Sequence, residues 1–176
     1  KYPFISAESW GTQTIEPRAQ LIIRPNETDI GKFPNEDAQS LVFDDTNLFE
    51  VNKYSGYDRV EGGSRVNLGV TYTAAIQGAG LVTAVVGQSY NLIGRNSFAY
   101  GDMANTGLES GLETTASDYI AKFGYSPTKY LEFVTRFRFD NDNLSMQRFE
   151  LQGRAELDRV NVALPYGRYE AQPLLG

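Results

Sequence analysis

The chain has 176 residues, a formal net charge of −6, no cysteine and no histidine. An acidic balance of this size disfavours nucleic acid and other polyanions as partners. Within this sequence there is no disulfide and no thiolate metal site, and the commonest general base and metal ligand are both missing. Eleven Tyr and ten Phe stand against a single Trp, a composition suited to strands and to membrane interfaces.

The first expected strand lies near residues 1–5 and the second near 15–24. In the second, Leu21 and Ile23 share one face and Gln20, Ile22 and Arg24 the other, so its alternation is blurred. A long connection, 25–63, follows. From 64 to 76 the parity is clean: Val66, Leu68, Val70, Tyr72, Ala74 and Ile76 against Arg65, Asn67, Gly69, Thr71, Thr73 and Ala75. Side chains of a strand alternate between faces, so one face is oily and the other wet or small. A strand at 81–90 repeats the pattern with Val82, Ala84, Val86 and Tyr90.

Between Arg65 and Arg95 no residue is charged, which invites a membrane-helix reading. Gly69, Gly78, Gly80, Gly87 and Gly94 argue against it, and two strands joined by a turn at 77–80 explain the parity better. A second long connection, 91–117, is rich in Gly, Asn and Ser. Four strands then come close together, at 118–125, 130–140, 147–157 and 159–168. Their expected reversals are Ser126-Pro127-Thr128, Asn141-Asp142-Asn143 and the turn at Asp158.

Strands of this length, repeatedly split into an oily and a wet face, read as an antiparallel transmembrane β-barrel segment of roughly seven or eight strands with long extracellular loops. The whole of 1–176 reads as one such segment of a longer chain. Tyr119 and Tyr125 close an oily row about 20 Å long at about 3.3 Å per residue, near the height of a barrel's apolar band with its aromatic girdles. Glu132, Arg136 and Arg138, with Arg148, Glu150, Arg154 and Glu156, form the opposite face of one hairpin and suit a water-filled lumen lined by paired charges. Short turns alternate with the long connections, which places the short turns in the periplasm and the long loops outside. The reversal at 141–143 is then an unusually short outer loop. For its hairpin, a five-residue loop at 141–145 sets Arg136 opposite Glu150, Glu132 opposite Arg154, Phe137 opposite Phe149 and Phe133 opposite Gly153. A tight turn would set Arg136 opposite Arg148, a destabilising like-charge pair.

The connection 25–63 holds nine acidic and three basic residues, equal to the net charge of the whole chain. Asp44, Asp45 and Glu50 are oxygen donors for a divalent cation, but their spacing fits no calcium loop, and charge runs are usually just solvated. The same connection carries Leu41, Val42, Phe43, Leu48, Phe49, Val51 and Tyr54, which predicts that it folds back into the barrel mouth. A short helical turn near 47–52 with Asn47 as cap is expected. Glu109 and Glu113 are acids at helical spacing with no catalytic companion. Two glycosylation sequons, at Asn26 and Asn143, have no meaning in a bacterial outer membrane. No cofactor or metal site and no enzyme emerges.

The segment Asp44-Asp45-Thr46-Asn47-Leu48-Phe49, followed by Tyr54-Ser55-Gly56-Tyr57-Asp58-Arg59, resembles the LptD family of LPS-assembly proteins, with an alphaproteobacterial cast. Glu16-Pro17-Arg18-Ala19-Gln20 and Gly87-Gln88-Ser89-Tyr90 are similar too. The resemblance implies a Gram-negative outer-membrane barrel that inserts lipopolysaccharide into the outer leaflet. Its implied partners are lipopolysaccharide, membrane lipid, an LptE-like lipoprotein plug and the proteins of the periplasmic transport bridge. It implies for Leu48, Phe49, Tyr54, Gly56, Asp58 and Arg59 a loop-structuring role at the barrel mouth. The family's periplasmic domain, gate strands and cysteines have no counterpart in these residues. The alternative readings are a general porin or TonB-dependent receptor barrel, and a soluble carbohydrate-binding β domain.

Overall fold

The computed structural model describes residues 1–29, 32–38, 40–100 and 106–170. These form one eight-stranded antiparallel sheet: β1 (Phe4–Glu8), β2 (Gly11–Ile22), β3 (Ser64–Ile76), β4 (Gly80–Ile93), β5 (Tyr119–Thr128), β6 (Leu131–Phe139), β7 (Met146–Leu157) and β8 (Val160–Tyr169). Each strand pairs with its neighbours in the chain, and the sheet is open, with β1 and β8 at its edges. Among the described residues there is no α-helix, and so none long and apolar enough to cross a membrane.

The pairing carries parity from strand to strand. One row runs Ile15, Tyr72, Ala84, Phe123, Thr135, Leu151, Tyr166. The next row on the same face runs Pro17, Val70, Val86, Ala121, Phe137, Phe149, Arg168. This face is apolar and largely exposed: Leu68, Val70, Val86, Phe123, Phe133, Leu151 and Leu164 all reach solvent. An apolar surface of this breadth marks an interaction face. On the opposite face a row runs Glu16, Thr71, Val85, Lys122, Arg136, Glu150. That polar face carries the hydrophobic core of the molecule, built from Ala38, Phe43, Leu48, Tyr54, Phe98 and Leu112 of the two long connections with Ile120 of β5.

Several bounds differ from the sequence reading. β1 and β2 meet at Ser9 and Trp10, so β1 lies later and β2 starts earlier than their patterns suggested. Residues Ser6–Thr14 are mostly small or polar on both faces and give no period to read. β4 extends three residues beyond Tyr90. Ser126-Pro127-Thr128 is not a turn: β5 continues through it with a bulge after Tyr125, and the chain reverses at Lys129–Tyr130. Pro127 is tolerated there because a bulge removes the need for its missing N–H.

The β6–β7 hairpin pairs Arg136 with Glu150, Glu132 with Arg154, Phe137 with Phe149 and Phe133 with Gly153, the register that charge pairing selects. The loop itself closes differently. A bulge after Arg138 sets Phe139 opposite Met146, and Asp140 donates its N–H to Ser145 O at 2.9 Å. Leu144 takes a positive φ of 58° to complete the reversal. Cysteines at 136 and 150 in the full-length protein should oxidise readily in non-reducing gels, and cysteines at 136 and 148 poorly. The opposite order would mean that the hairpin pairs two residues out of this register.

Candidate functional site

The two long connections fold into a cap on the polar face, and its centre is a turn at 44–49. Asp44 Oδ1 accepts from the backbone N–H of Thr46 at 2.8 Å and from its hydroxyl at 2.6 Å. Leu48 N donates to Asp44 O at 3.2 Å. The turn therefore lies three residues ahead of the expected 47–52 position, with Asp44 rather than Asn47 in the capping role. The Asn47 side chain instead reaches back, accepting from Asp44 N at 3.0 Å and donating to Val42 O at 2.6 Å.

This turn drives Leu48 and Phe49 into the sheet. Gly69 and Gly87 face each other across β3 and β4, and two missing side chains leave a notch. A Cβ at Gly69 would lie 3.0 Å from Phe49 Cζ and 3.1 Å from Leu48 Cδ2, and a Cβ at Gly87 would collide with Leu48 Cδ2 outright. Leu48 is fully buried there. The Phe49 ring lies under the Arg18 guanidinium, 4.1 Å from its centroid, a cation–π contact of about 0.5–2 kcal/mol depending on desolvation. Phe49 O accepts from Gln20 Nε2 at 3.0 Å. A polar ladder continues from there across three strands: Asn67 Nδ2 donates to Gln20 Oε1 at 2.9 Å, and Ser89 Oγ donates to Asn67 Oδ1 at 2.6 Å. Ser89 N then donates to Ser117 Oγ at 2.9 Å. The Leu48-Phe49 pair, Arg18-Ala19-Gln20 and Gly87-Gln88-Ser89, distant in sequence, thus meet at one place.

Beside the notch, Asp45 is nearly buried and receives Lys122 Nζ at 3.1 Å and Arg136 Nε at 2.8 Å. Its carboxylate serves as an anchor on β5 and β6, not as part of a cation site with Asp44 and Glu50. Among the described residues no cluster of three acidic side chains could hold a metal ion.

The 54–59 segment organises the outer part of the cap. Tyr54 packs its ring on Phe98 at 4.9 Å and donates its hydroxyl to Ser97 O at 3.0 Å. Gly56 has φ of 72°, and a Cβ there would run into the Asp37 carboxylate. Asp37 accepts from the backbone of Tyr57 at 2.7 Å and Asp58 at 3.1 Å, while Asp58 accepts from Glu36 at 2.8 Å and Asp37 at 3.2 Å. The Tyr57 N–H bond holds the Asp37 carboxyl below its ordinary range. Arg59 is buried and its carbonyl accepts from Asn52 Nδ2 at 2.9 Å. Lys53 is buried close by, and loss of water pushes its ammonium down to about 8. Val42 and Val51, expected to pack inward, are exposed instead.

The second connection locks onto the first. Arg95 N donates to Asn26 Oδ1 at 2.8 Å, Gly62 N to Ser97 Oγ at 2.8 Å, and Thr106 Oγ1 to Ala38 O at 2.8 Å. Glu109 and Glu113 are not on a helix. Glu109 has a positive φ of 57° and gives its carbonyl to Arg138 at 3.1 Å, and Glu113 accepts from Gly111 N at 2.8 Å. Arg138 also pairs with Asp118 at 3.2 Å. It stands opposite Arg148, which turns away to Glu150 and the Tyr169 ring. Glu132, Arg154 and Glu156 lie toward the short-turn end of the same face, beyond the cap, with Arg154 and Glu156 3.6 Å apart.

The glycine notch and the Asp45 anchor were not singled out from sequence. Gly69 and Gly87 fall into register once the turn at 77–80 is placed, and that pairing was the available signal.

The sequence model of the family described as LptD, LPS transport system D, matches residues 1–174. The chain belongs to the LptD family. The LPS-assembly protein LptD of Chromobacterium violaceum is 25% identical over 160 residues, covering 89% of this chain and 19% of that protein. The LptD of Nitrosococcus oceani is 39% identical over 85 residues, covering 45% of this chain and 11% of that protein. The chain therefore spans under a fifth of the length of these LptD relatives. They are beta- and gammaproteobacterial proteins, so they lend no support to an alphaproteobacterial cast.

Gly87→Ala should unseat Leu48 and loosen the cap by about 1–3 kcal/mol, the usual cost of overpacking. Adding Leu48→Ala should recover part of that loss, because the two side chains compete for one space. Hydrogen exchange of the 54–59 amides reads both effects. Strictly additive losses would remove Leu48 from the notch.

Proposed function

We propose that this chain is a run of barrel wall, with its outer cap, in an outer-membrane protein that assembles lipopolysaccharide into the outer leaflet. The observation that carries the reading is the two-faced sheet: a continuous apolar face across eight strands, backed by a polar face that holds its own folded cap. The same two-faced sheet would serve a porin or a TonB-dependent receptor, and membership of the LptD family is what favours lipopolysaccharide assembly over those readings and over a soluble carbohydrate-binding domain.

On this reading the apolar face meets lipid and the polar face lines the lumen. The saccharide part of lipopolysaccharide passes along the wet face beyond the cap, where Glu132 stands opposite Arg154 and the exposed Arg154 lies 3.6 Å from Glu156, charged groups of both signs that offer hydrogen bonds. The acyl chains stay with the lipid phase. The residues Leu48, Phe49, Tyr54, Gly56, Asp58 and Arg59 build the cap that closes the outer mouth. An LptE-like plug would fill the lumen, and the periplasmic bridge would meet parts of the protein other than these residues. The chemistry is transport, with no cofactor and no covalent step.

Val70→Arg would place a charge in the apolar band, at a cost of about 2–4 kcal/mol near the midplane. Thr71→Arg points to the polar face and should be tolerated. The heat-modifiable gel shift of the full-length protein compares them. If Val70→Arg folds normally while Thr71→Arg does not, the faces are assigned the wrong way round.

Phe49→Ala removes the Arg18 contact and part of the notch filling while leaving every strand pair intact. Cells carrying it should become sensitive to vancomycin, which an intact outer membrane blocks. Unchanged sensitivity at equal barrel level would take away the sealing role of the cap.

A further inference from the structure

We propose that the apolar face carries a groove that binds an acyl chain of an outer-leaflet lipopolysaccharide molecule, an inference that rests on the lipid-facing reading of that face. The groove is a shallow, open depression of about 650 Å³ that crosses β2, β3 and β4, a shape that lets an acyl chain lie along it with one side still against the bilayer. Ala19, Leu68, Val70 and Val86 line it, together with the backbone of Gly69 and Gly87. Tyr2, Tyr90 and Tyr119 also line it.

The hollow has a local cause. Ala19, Leu68 and Gln88 sit side by side on three adjacent strands, and the first is too small to fill its place. The third is drawn aside: Gln88 Nε2 donates to Ser117 O at 2.8 Å, and Gln88 Oε1 accepts from the Tyr90 hydroxyl. The polar atoms of Gln88 are thereby satisfied within the protein, and aliphatic surface remains to meet a ligand. A ligand that gains by entering is itself apolar and narrow.

The position of the groove selects the lipid. It lies in the half of the sheet nearer the long connections, with Tyr90 and Tyr119 toward that end. On the orientation proposed above this is the outer leaflet, whose characteristic lipid is lipopolysaccharide. Tyrosines at this height fit the interfacial girdle of a barrel. Lys1 is among the lining residues, with its ammonium well exposed and only loosely paired with Glu16 at 3.4 Å, and it offers a positive charge to an anionic headgroup. The other cation of the lining, Arg18, is engaged on the Phe49 ring. At Gly69 and Gly87 the wall is a single backbone thick, with Leu48 seated on one side and the groove on the other. Leu48 therefore stiffens the groove floor from behind.

A photo-crosslinking amino acid at Val86, in the full-length protein in cells, tests the groove, with the same residue at Leu164 as control. Leu164 lies on the same apolar face, on β8, away from the groove. Both positions should label lipid in cells. When the protein is irradiated only after extraction and exchange into lipid-free detergent, Val86 should give at least fivefold more adduct than Leu164, and mass spectrometry should identify it as lipopolysaccharide. Ala19→Trp should abolish that retention while the heat-modifiable shift persists. No lipid labelling at either position in cells would overturn the lipid-facing reading and the groove with it. Labelling in cells that becomes equal at the two sites after extraction would overturn the groove alone. A retained phospholipid adduct would overturn the choice of lipid. If Ala19→Trp fails to fold, the comparison of Val86 with Leu164 still decides.

Discussion

One steric fit organises the polar face: the Leu48 side chain occupies the place that two opposed residues, Gly69 and Gly87, leave empty. A strand pair with side chains at those positions would hold the turn at 44–49 away from the sheet. With glycine at both, the turn comes close enough for Phe49 to reach Arg18 and Gln20, and for Asp45 to reach Lys122 and Arg136. Glycine in a strand costs stability because it packs nothing itself. Here the cost is offset by a leucine that arrives from another part of the chain and is fully buried there.

Charge follows the same plan. The first connection carries the net acidity of the chain, and it settles over strands whose polar face offers Arg18, Arg65, Lys122 and Arg136. Buried ion pairs rarely gain much over a well-packed apolar alternative, so their use here is better understood as positional. Asp45 reaches two strands at once, and Arg65 pairs with Glu61 at 3.2 Å deep in the cap. Opposite Arg148, Arg138 would raise the energy of the hairpin if both faced the same space. The acids and carbonyls of the second connection draw Arg138 upward, and Glu150 draws Arg148 sideways.

The sheet was legible where one period dominated. β3 covers the same residues that its alternation marked, and the β6–β7 register followed from cross-strand charge and ring-over-glycine pairing. Legibility failed where the chain used side chains for backbone work. Near Ser9 both faces are small or polar, so nothing distinguishes strand from turn. At Pro127 a turn-former sits inside a bulge. In the cap, Asp44 and Asn47 both have capping chemistry, and only the tertiary position of Leu48 decides which of them takes the N-terminal place. The motif residues 48, 49, 54, 56, 58 and 59 do gather around one cap, but what they pack against lies on β2, β3 and β4 and in the second connection, beyond the reach of a local pattern.

The sheet is a pure meander, in which each strand pairs with its predecessor in the chain. Five of its seven pairings close through short turns and can form hairpin by hairpin, while β2–β3 and β4–β5 must close over the two long connections. The cap obeys a different clock. Residues 44–49 precede β3, yet their notch needs β3 and β4, and the Asp45 partners lie on β5 and β6. The first connection must therefore wait, unsatisfied and with Phe43 and Leu48 uncovered, until some ninety later residues have taken their places, Asp45 being 91 positions from Arg136. Folding in this order runs forward along the strands and then reaches back for the cap, which makes that early segment the one most in need of protection while the sheet is incomplete.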